Sequence, residues 1–179
     1  MNRGTVLIAA IALSACGGGL SIKTDYNPEA AAAMRGYKTY SWATVKRDQG
    51  VTPLNRDRII SAIDAALAAK GMQKQASGGD FQVAFIATTS QQTDYTTTSD
   101  YYGYGYGRWY GAGGATTSRT TAYNWTQGTL VLDIVDGKSN EMVYRSTAEA
   151  EVDQDLSPSE RQARLNAGAI RMLEKFPPK

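Results

Sequence analysis

The sequence predicts an α+β fold: a mainly antiparallel sheet of four to five strands with two helices packed on one face. Three observations predict it. Residues 128–135 and 142–150 alternate around Asp136-Gly137-Lys138-Ser139-Asn140, as the two strands of a hairpin do. Ile59, Ile60, Ile63 and Leu67 recur at helical spacing and stop before Gly71. Ser157-Pro158-Ser159-Glu160 announces a second helix, with Ser157 as N-cap, Pro158 at the first helical position and Glu160 closing a capping box.

The first fifteen residues stand outside that fold. The apolar run from Thr5 to Leu13, behind Arg3, is about half the length a bilayer-spanning helix needs. One positive charge, a short apolar segment and a small-residue cleavage site are signal-peptide features. Leu13-Ser14-Ala15-Cys16 adds the leucine, small, small, cysteine box read by lipoprotein-processing enzymes. Residues 1–15 therefore read as a lipoprotein signal peptide, with Cys16 the lipidated residue. An ordinary secretory signal would leave the only cysteine of an exported chain as a free thiol, an oddity that lipidation removes. Several acyl chains hold a protein to a membrane where one binds only marginally. Glycine rather than aspartate follows Cys16, which in Gram-negative lipoproteins generally permits passage to the outer membrane, so the expected location is its periplasmic face. Residues 16–21 then form the lipidated cysteine and a flexible tether.

Residues 22–179 are enough for a single α+β domain. The net charge of +2 falls to +1 with the loss of Arg3, so no basic stripe invites nucleic acid. The chain has no histidine, which removes the commonest general base and the commonest metal ligand together.

Taken in order, residues 20–28 alternate loosely and end at Asn27-Pro28, which suits an edge strand carrying Ile22 and Tyr26. Tyr37-Lys38-Thr39-Tyr40-Ser41-Trp42 favours a strand. Alternation puts Tyr40 and Trp42 on its core side. A polar loop over residues 46–53 leads into the first helix, for which Asn55 is the expected N-cap. Met72 starts the return, and Gly78-Gly79-Asp80 turns into a strand with Phe81, Val83 and Phe85 on one face.

Residues 88–127 are a low-complexity insertion. Thr/Ser/Gln arms flank a centre in which Tyr101, Tyr102, Tyr104, Tyr106, Arg108, Trp109 and Tyr110 are interleaved with glycines. Threonine and tyrosine suit extended backbone, whereas glycine weakens a strand it interrupts. The arms are thus expected to prolong the neighbouring strands, leaving the Tyr-Gly centre as a mobile tip. On the following hairpin the face of Leu130, Leu132 and Ile134 should lie against the helices. In the last helix, Ala163, Ala167, Ile170 and Leu173 form one apolar stripe and Leu165, Ala169 and Met172 another, and periodicity does not choose between them. Pro177-Pro178 ends it.

Chemistry is hard to assemble from these residues. Serines and threonines abound without a histidine to take a proton, and no serine motif accompanies Lys38, Lys70 or Lys74. Asp133, Asp136, Glu149 and Glu151 fall on or beside the hairpin, where paired carboxylates would serve glycoside hydrolysis and solvent-facing strand residues are the plainer reading. The carboxylates have no metal-ligand spacing, and no cofactor is expected. Gly103-Tyr104-Gly105-Tyr106-Gly107 is not followed by a helix, so it is no phosphate loop. Asn124-Trp125-Thr126 fits a glycosylation sequon, an accident in an exported bacterial protein. The aromatic tip is left as the candidate partner-binding surface, since tyrosine and tryptophan give large contact area at low entropy cost.

The cysteine box, the strand at residues 37–42, Asp57-Arg58-Ile59 opening a helix that ends at Lys70-Gly71, the Tyr-Gly repeats, Gly128-Thr129-Leu130-Val131-Leu132-Asp133-Ile134-Val135-Asp136 and a terminal Phe176-Pro177-Pro178 occur in that order. Together they resemble the small bacterial lipoproteins of domain-of-unknown-function family 4136, over nearly all of the chain after Cys16. Tyr144-Arg145 stands where such proteins commonly have Trp-Arg. The resemblance implies fold and location and brings no assigned activity. The expected function is a non-enzymatic envelope lipoprotein. It is held to the membrane by its lipid and binds an envelope protein or glycan through residues 101–110. The alternative is a carboxylate-dependent hydrolase acting on cell-wall glycans.

Overall fold

A computed structural model of the chain describes residues 19–43, 51–101 and 116–179, with the arm's end (99–101 and 116–117) described in backbone only. Its elements are β1 (Ser21–Tyr26), α1 (Ala31–Met34), β2 (Thr39–Trp42), α2 (Pro53–Ala69), β3 (Gln73–Lys74), β4 (Phe81–Tyr101), β5 (Thr116–Asp136), β6 (Met142–Glu151) and α3 (Pro158–Met172). The strands form one six-stranded sheet in the order β1-β6-β5-β4-β2-β3.

This corrects the expectation of a mainly antiparallel sheet of four to five strands with two helices. The sheet is mixed: β2 runs parallel to both β3 and β4, while β1, β6, β5 and β4 pair antiparallel. The parallel pairs arise because α2 carries the chain from the end of β2 back to the start of the next strand, so it re-enters the sheet in the same direction. Alternation of side chains reports which face a residue occupies but carries no information about strand direction. The additional strand, β3, is two residues long, and the additional helix, α1, is four, both too short for periodicity to reveal. The edge strand expected near Ile22 and Tyr26 is β1.

The first long helix is also capped differently. Thr52, not Asn55, is its N-cap; the Thr52 hydroxyl accepts from the Asn55 N–H at 3.4 Å, and Pro53 takes the first helical position. Ile59, Ala62, Ile63, Ala66 and Leu67 face the sheet, and the helix stops at Lys70 before Gly71 in the left-handed region (φ +81°). In α3 the predicted capping box of Ser157 and Glu160 is present. Of its two stripes, that of Leu165, Ala169 and Met172 faces inward with Leu173, while Ile170 is 59 % exposed.

The two long helices, α2 and α3, pack on one face of the sheet. Phe81, Val83, Phe85 and Ala87 from β4 meet Leu132 and Ile134 from β5 and Tyr144 and Ala148 from β6. Rings join the strands: Phe81 stacks on Tyr37 and Tyr40 with centroids 5.2 and 5.7 Å apart, and Phe176 sits edge-on to Phe81 and Tyr144 at 5.4 and 5.2 Å. The Tyr144 hydroxyl donates to the Met172 carbonyl at 2.6 Å, fixing β6 to the end of α3. Burial of each such ring contributes roughly 1.5–3 kcal/mol.

β4 and β5 then outgrow the sheet. Their pairing runs in one unbroken register from Phe81 opposite Asp136 to Tyr101 opposite Thr116, whereas β6 leaves β5 at Gln127 opposite Glu151. The flanking Thr/Ser/Gln arms therefore do prolong their strands, as the sequence suggested. From Ser90 to Tyr101 the two-stranded arm reaches about 37 Å beyond the last β6 pair.

Candidate functional site

Tyr101 closes β4 opposite Thr116. Cys16, Tyr102, Tyr104, Tyr106, Arg108, Trp109 and Tyr110 lie outside the described residues. What the structure does describe is the arm that carries this segment and the cleft at its base.

Side chains join the two strands of the arm along its length. Gln91 donates to Thr126 at 2.9 Å, Thr93 to Asn124 at 2.8 Å, and the Thr97 and Thr120 hydroxyls share a 3.1 Å bond. These are cross-strand contacts between partners directly opposite in the register. On the other face, away from the helices, the Trp125 indole N–H donates to Asp94 Oδ2 at 2.9 Å and the Tyr123 hydroxyl to Glu151 Oε1 at 2.9 Å. That second bond holds the Tyr123 phenol above its usual pKa. Tyr123 and Trp125, two apart on one strand, point the same way.

They line a cleft of about 390 Å³ with Asp94, Gln127, Glu149 and Glu151. A second hollow of about 530 Å³ on the other side of Tyr123 and Trp125 is bordered by Asp153, Asp155 and Arg164. Two aromatic rings beside carboxylates and an amide can stack on a ligand while accepting hydrogen bonds from it. In the sequence Trp125 stands out only as part of an accidental sequon, and Tyr123 only as part of an arm that prolongs its strand. The missed signal was their spacing of two within an extended segment.

The four carboxylates nominated from sequence divide into two pairs. Asp133 is held bidentately by Arg145 directly across the β5–β6 pair, at 2.6 and 2.7 Å, which raises the Arg145 pKa. Asp136 turns its Oδ1 to the Lys138 and Ser139 N–H groups at 2.8 and 2.7 Å and accepts from the Tyr37 hydroxyl on Oδ2. The Tyr37 bond is the main cause of an Asp136 pKa lowered to about 2. Burial, reinforced by Asp136, holds the Tyr37 phenol well above its usual range. Glu149 and Glu151 are different, since both border the cleft.

Two further aspartates act as fasteners. Asp80 Oδ2 accepts from the Lys38 and Thr39 N–H groups at 2.8 and 2.9 Å and from the Thr39 hydroxyl at 3.0 Å, and these donors lower its pKa. Asp64, on α2, accepts from the Tyr40 hydroxyl, the Trp42 indole and the Lys74 ammonium at 2.8, 3.0 and 2.8 Å. Among the described residues no group of three His, Cys, Asp or Glu side chains is placed to hold a metal ion, and no helix is long and apolar enough to cross a membrane.

A mixed sheet covered by helices on one face and extended by a two-stranded arm defines an α+β scaffold that presents side chains rather than enclosing them. Residues 22–178 match the family model described as a domain of unknown function (DUF4136), and the chain belongs to that family. No curated protein matches it significantly. Among solved structures, a PDZ domain protein from Parabacteroides distasonis is 11 % identical, with a TM-score of 0.55 over 91 % of this chain; the chain spans only 37 % of that protein. The PelC dodecamer from Paraburkholderia phytofirmans is likewise 11 % identical, with a TM-score of 0.51 over 87 % of this chain and 95 % of its own. These likenesses are of fold.

Proposed function

We propose that the chain is a membrane-anchored periplasmic envelope lipoprotein, held to the outer membrane through Cys16, that works as a non-enzymatic binding module. Residues 101–110 engage its partner, an envelope protein or a glycan. One observation carries this reading: the arm holds Tyr101 and Thr116 one antiparallel rung apart, about 37 Å beyond the end of the β5–β6 pairing. Catalysis gains nothing from such reach, whereas contact with a partner beyond the body of the sheet does. The sequestering of Asp133 by Arg145 and of Asp136 by its own turn also supports a binding role.

Mass spectrometry of the mature N-terminus tests the anchor: the expected product begins at an acylated Cys16, and an unmodified thiol in the soluble fraction overturns the placement. Deleting residues 102–114 tests the tip. Crosslinking pull-down from intact cells should lose its partner while the circular dichroism of the body is unchanged; capture that survives the deletion rejects the tip's role.

A second reading, a carboxylate-dependent hydrolase of cell-wall glycans, draws on the cleft, where Glu149 and Glu151 stand beside Tyr123 and Trp125. Release of soluble fragments from purified peptidoglycan, abolished by Glu149→Gln or Glu151→Gln, would establish it in place of the binding-only reading.

A further inference from the structure

We propose that the chain lies flat on the membrane that holds Cys16, its sheet face away from the helices turned to the lipid headgroups and Tyr123 and Trp125 seated among them. The inference rests on the lipidation of Cys16 proposed above and follows from where that anchor joins the molecule. Ser21, which opens β1, pairs with Glu149 of β6, Glu149 with Thr129 of β5, and Thr129 with Thr88 of β4. From there β1 runs away from the arm, to Tyr26 opposite Tyr144. The chain therefore enters the sheet at the base of the arm, part-way along the β4–β5 hairpin rather than at either end. Gly19 borders the cleft that reaches from Glu149 to Asp94.

Cys16 is three residues from Gly19, so their Cα atoms are at most about 11 Å apart. From Asp94 the β4–β5 pairing runs seven residues on to Tyr101, and from Thr88 it runs seven residues back to Phe81, about 23 Å in each direction. With the arm pointed at the membrane, Tyr101 would sit at least about 12 Å deeper than Cys16, more than the Cys16 side chain can make up. That depth lies in the hydrocarbon, where an open two-stranded ribbon cannot satisfy its main chain. With the arm pointed away, the folded body would have to enter instead. The hairpin therefore lies within about 30° of the membrane plane, and a partner met at Tyr101 is met at the membrane surface.

The same short tether chooses the face. Gly19 and Ser21 stand on the side of the sheet that carries Tyr123 and Trp125, while Leu20 packs on the core and α3 lies beneath β1. Lying on the helices would put the sheet and a helix layer of about 10–12 Å between Gly19 and the headgroups, more than the tether spans. The other face meets them directly. Along β4 it alternates with the core: Phe85 and Ala87 are buried, whereas Ile86 and Thr88 are exposed. Tyr123, 57 % exposed, and Trp125 project from this face, and an apolar ring with a polar tip suits the membrane–water interface. Standing on the β1 edge would keep both rings off the lipid. Asp94, Glu149 and Glu151 line the cleft beside the rings, and no lysine or arginine does among the described residues. That charge attracts the ammonium of a zwitterionic headgroup and opposes an anionic one.

Once Cys16 is acylated, a cysteine placed elsewhere is the only free thiol, so one fluorophore reports one position. The test uses the full lipidated chain, its acylation checked by mass spectrometry, in phosphatidylethanolamine–phosphatidylcholine vesicles carrying a headgroup-nitroxide lipid as quencher. Thr96→Cys and Tyr95→Cys are neighbours on opposite faces of the arm, and Ile86→Cys and Ile170→Cys sample opposite sides of the body. Labels at 96 and 86 should be quenched roughly threefold or more over those at 95 and 170. Tyr123→Ser with Trp125→Ser should bring both ratios toward one; Tyr123→Asp alone takes their place if circular dichroism shows that the double variant misfolds. Equal quenching within either pair, stronger quenching on the helix side, or ratios indifferent to loss of the rings would each overturn the proposal. An unmodified Cys16 would overturn the anchor and this orientation together, whereas an acylated Cys16 with equal quenching overturns the orientation alone.

Discussion

Asp64, Asp80 and Asp136 each gather donors from a different element, and their carboxylates knit the sheet together. Asp64 joins α2 to Tyr40 and Trp42 of β2 and Lys74 of β3. Asp64→Ala would leave the Tyr40 hydroxyl and Trp42 indole without that acceptor, and a loss of about 2–3 kcal/mol is expected in urea unfolding. Asp136 bears on acid stability. Its folded pKa of about 2 lies below the unfolded value of about 3.9. The folded state therefore holds the proton less tightly, and the stabilisation is complete above about pH 4 and lost as pH falls toward 2. Asp80, also lowered, adds in the same direction. Asp136→Asn should lower stability at pH 6 and flatten the decline between pH 4 and 2, measured as the urea midpoint against pH; an unchanged slope would show that the Tyr37 contact contributes nothing. None of these fasteners was legible in the sequence. Asp64 sits among apolar helical residues and reads as a solvent-facing position, and only the packing of α2 across β2 brings its donors within reach.

Elements whose signals are local were readable, and those made by distant segments were not. Ser157, Pro158 and Glu160 lie within four residues, so the capping box could be stated from the sequence and stands in the structure. Ser157→Ala removes the acceptor for the Glu160 N–H and the donor to its carboxylate, and thermal unfolding should report a loss of about 1 kcal/mol. The Asp136 to Asn140 turn was equally plain, and its Gly137 has a reason beyond turn propensity. A Cβ there would lie 2.4 Å from the Gly79 carbonyl oxygen and 2.9 Å from that of Asp80. Gly137→Ala must push two turns apart and is expected to cost about 2–3 kcal/mol, more than an ordinary turn substitution. That close approach joins residues some sixty apart in the chain, and the parallel pairing of β2 with β4 joins residues about forty apart. Neither leaves a periodic trace. The candidate site was legible by half: the arm followed from threonine-rich extended tracts, whereas the cleft needed Glu149 and Glu151 brought to Tyr123 and Trp125 by the β5–β6 register.

At the scale of the molecule the body and the arm are separable in their energetics. Every buried apolar side chain among the described residues lies on β1 to β3, the helices, β6, the segments that link them, the C-terminal segment after α3, or the first seven and last seven positions of the β4–β5 hairpin. Beyond Thr88 the arm buries no core residue, and its stability rests on main-chain pairing and polar cross-strand bonds. A two-stranded ribbon of that kind is marginal alone, so the body must hold the arm rather than the reverse. Replacing residues 93–124 with Asn-Gly, a two-residue hairpin connection between Gln92 and Trp125, should therefore leave a folded body. The shortened chain should unfold in one cooperative step, within about 1 kcal/mol of the parent, and with a smaller dependence on denaturant because less surface is exposed. It should also lose partner capture, since the arm's outer part and residues 101–110 are gone. Loss of cooperative unfolding or of near-ultraviolet dichroism would mean that the arm stabilises the core, and the division into a scaffold and the reach it supports would then be wrong.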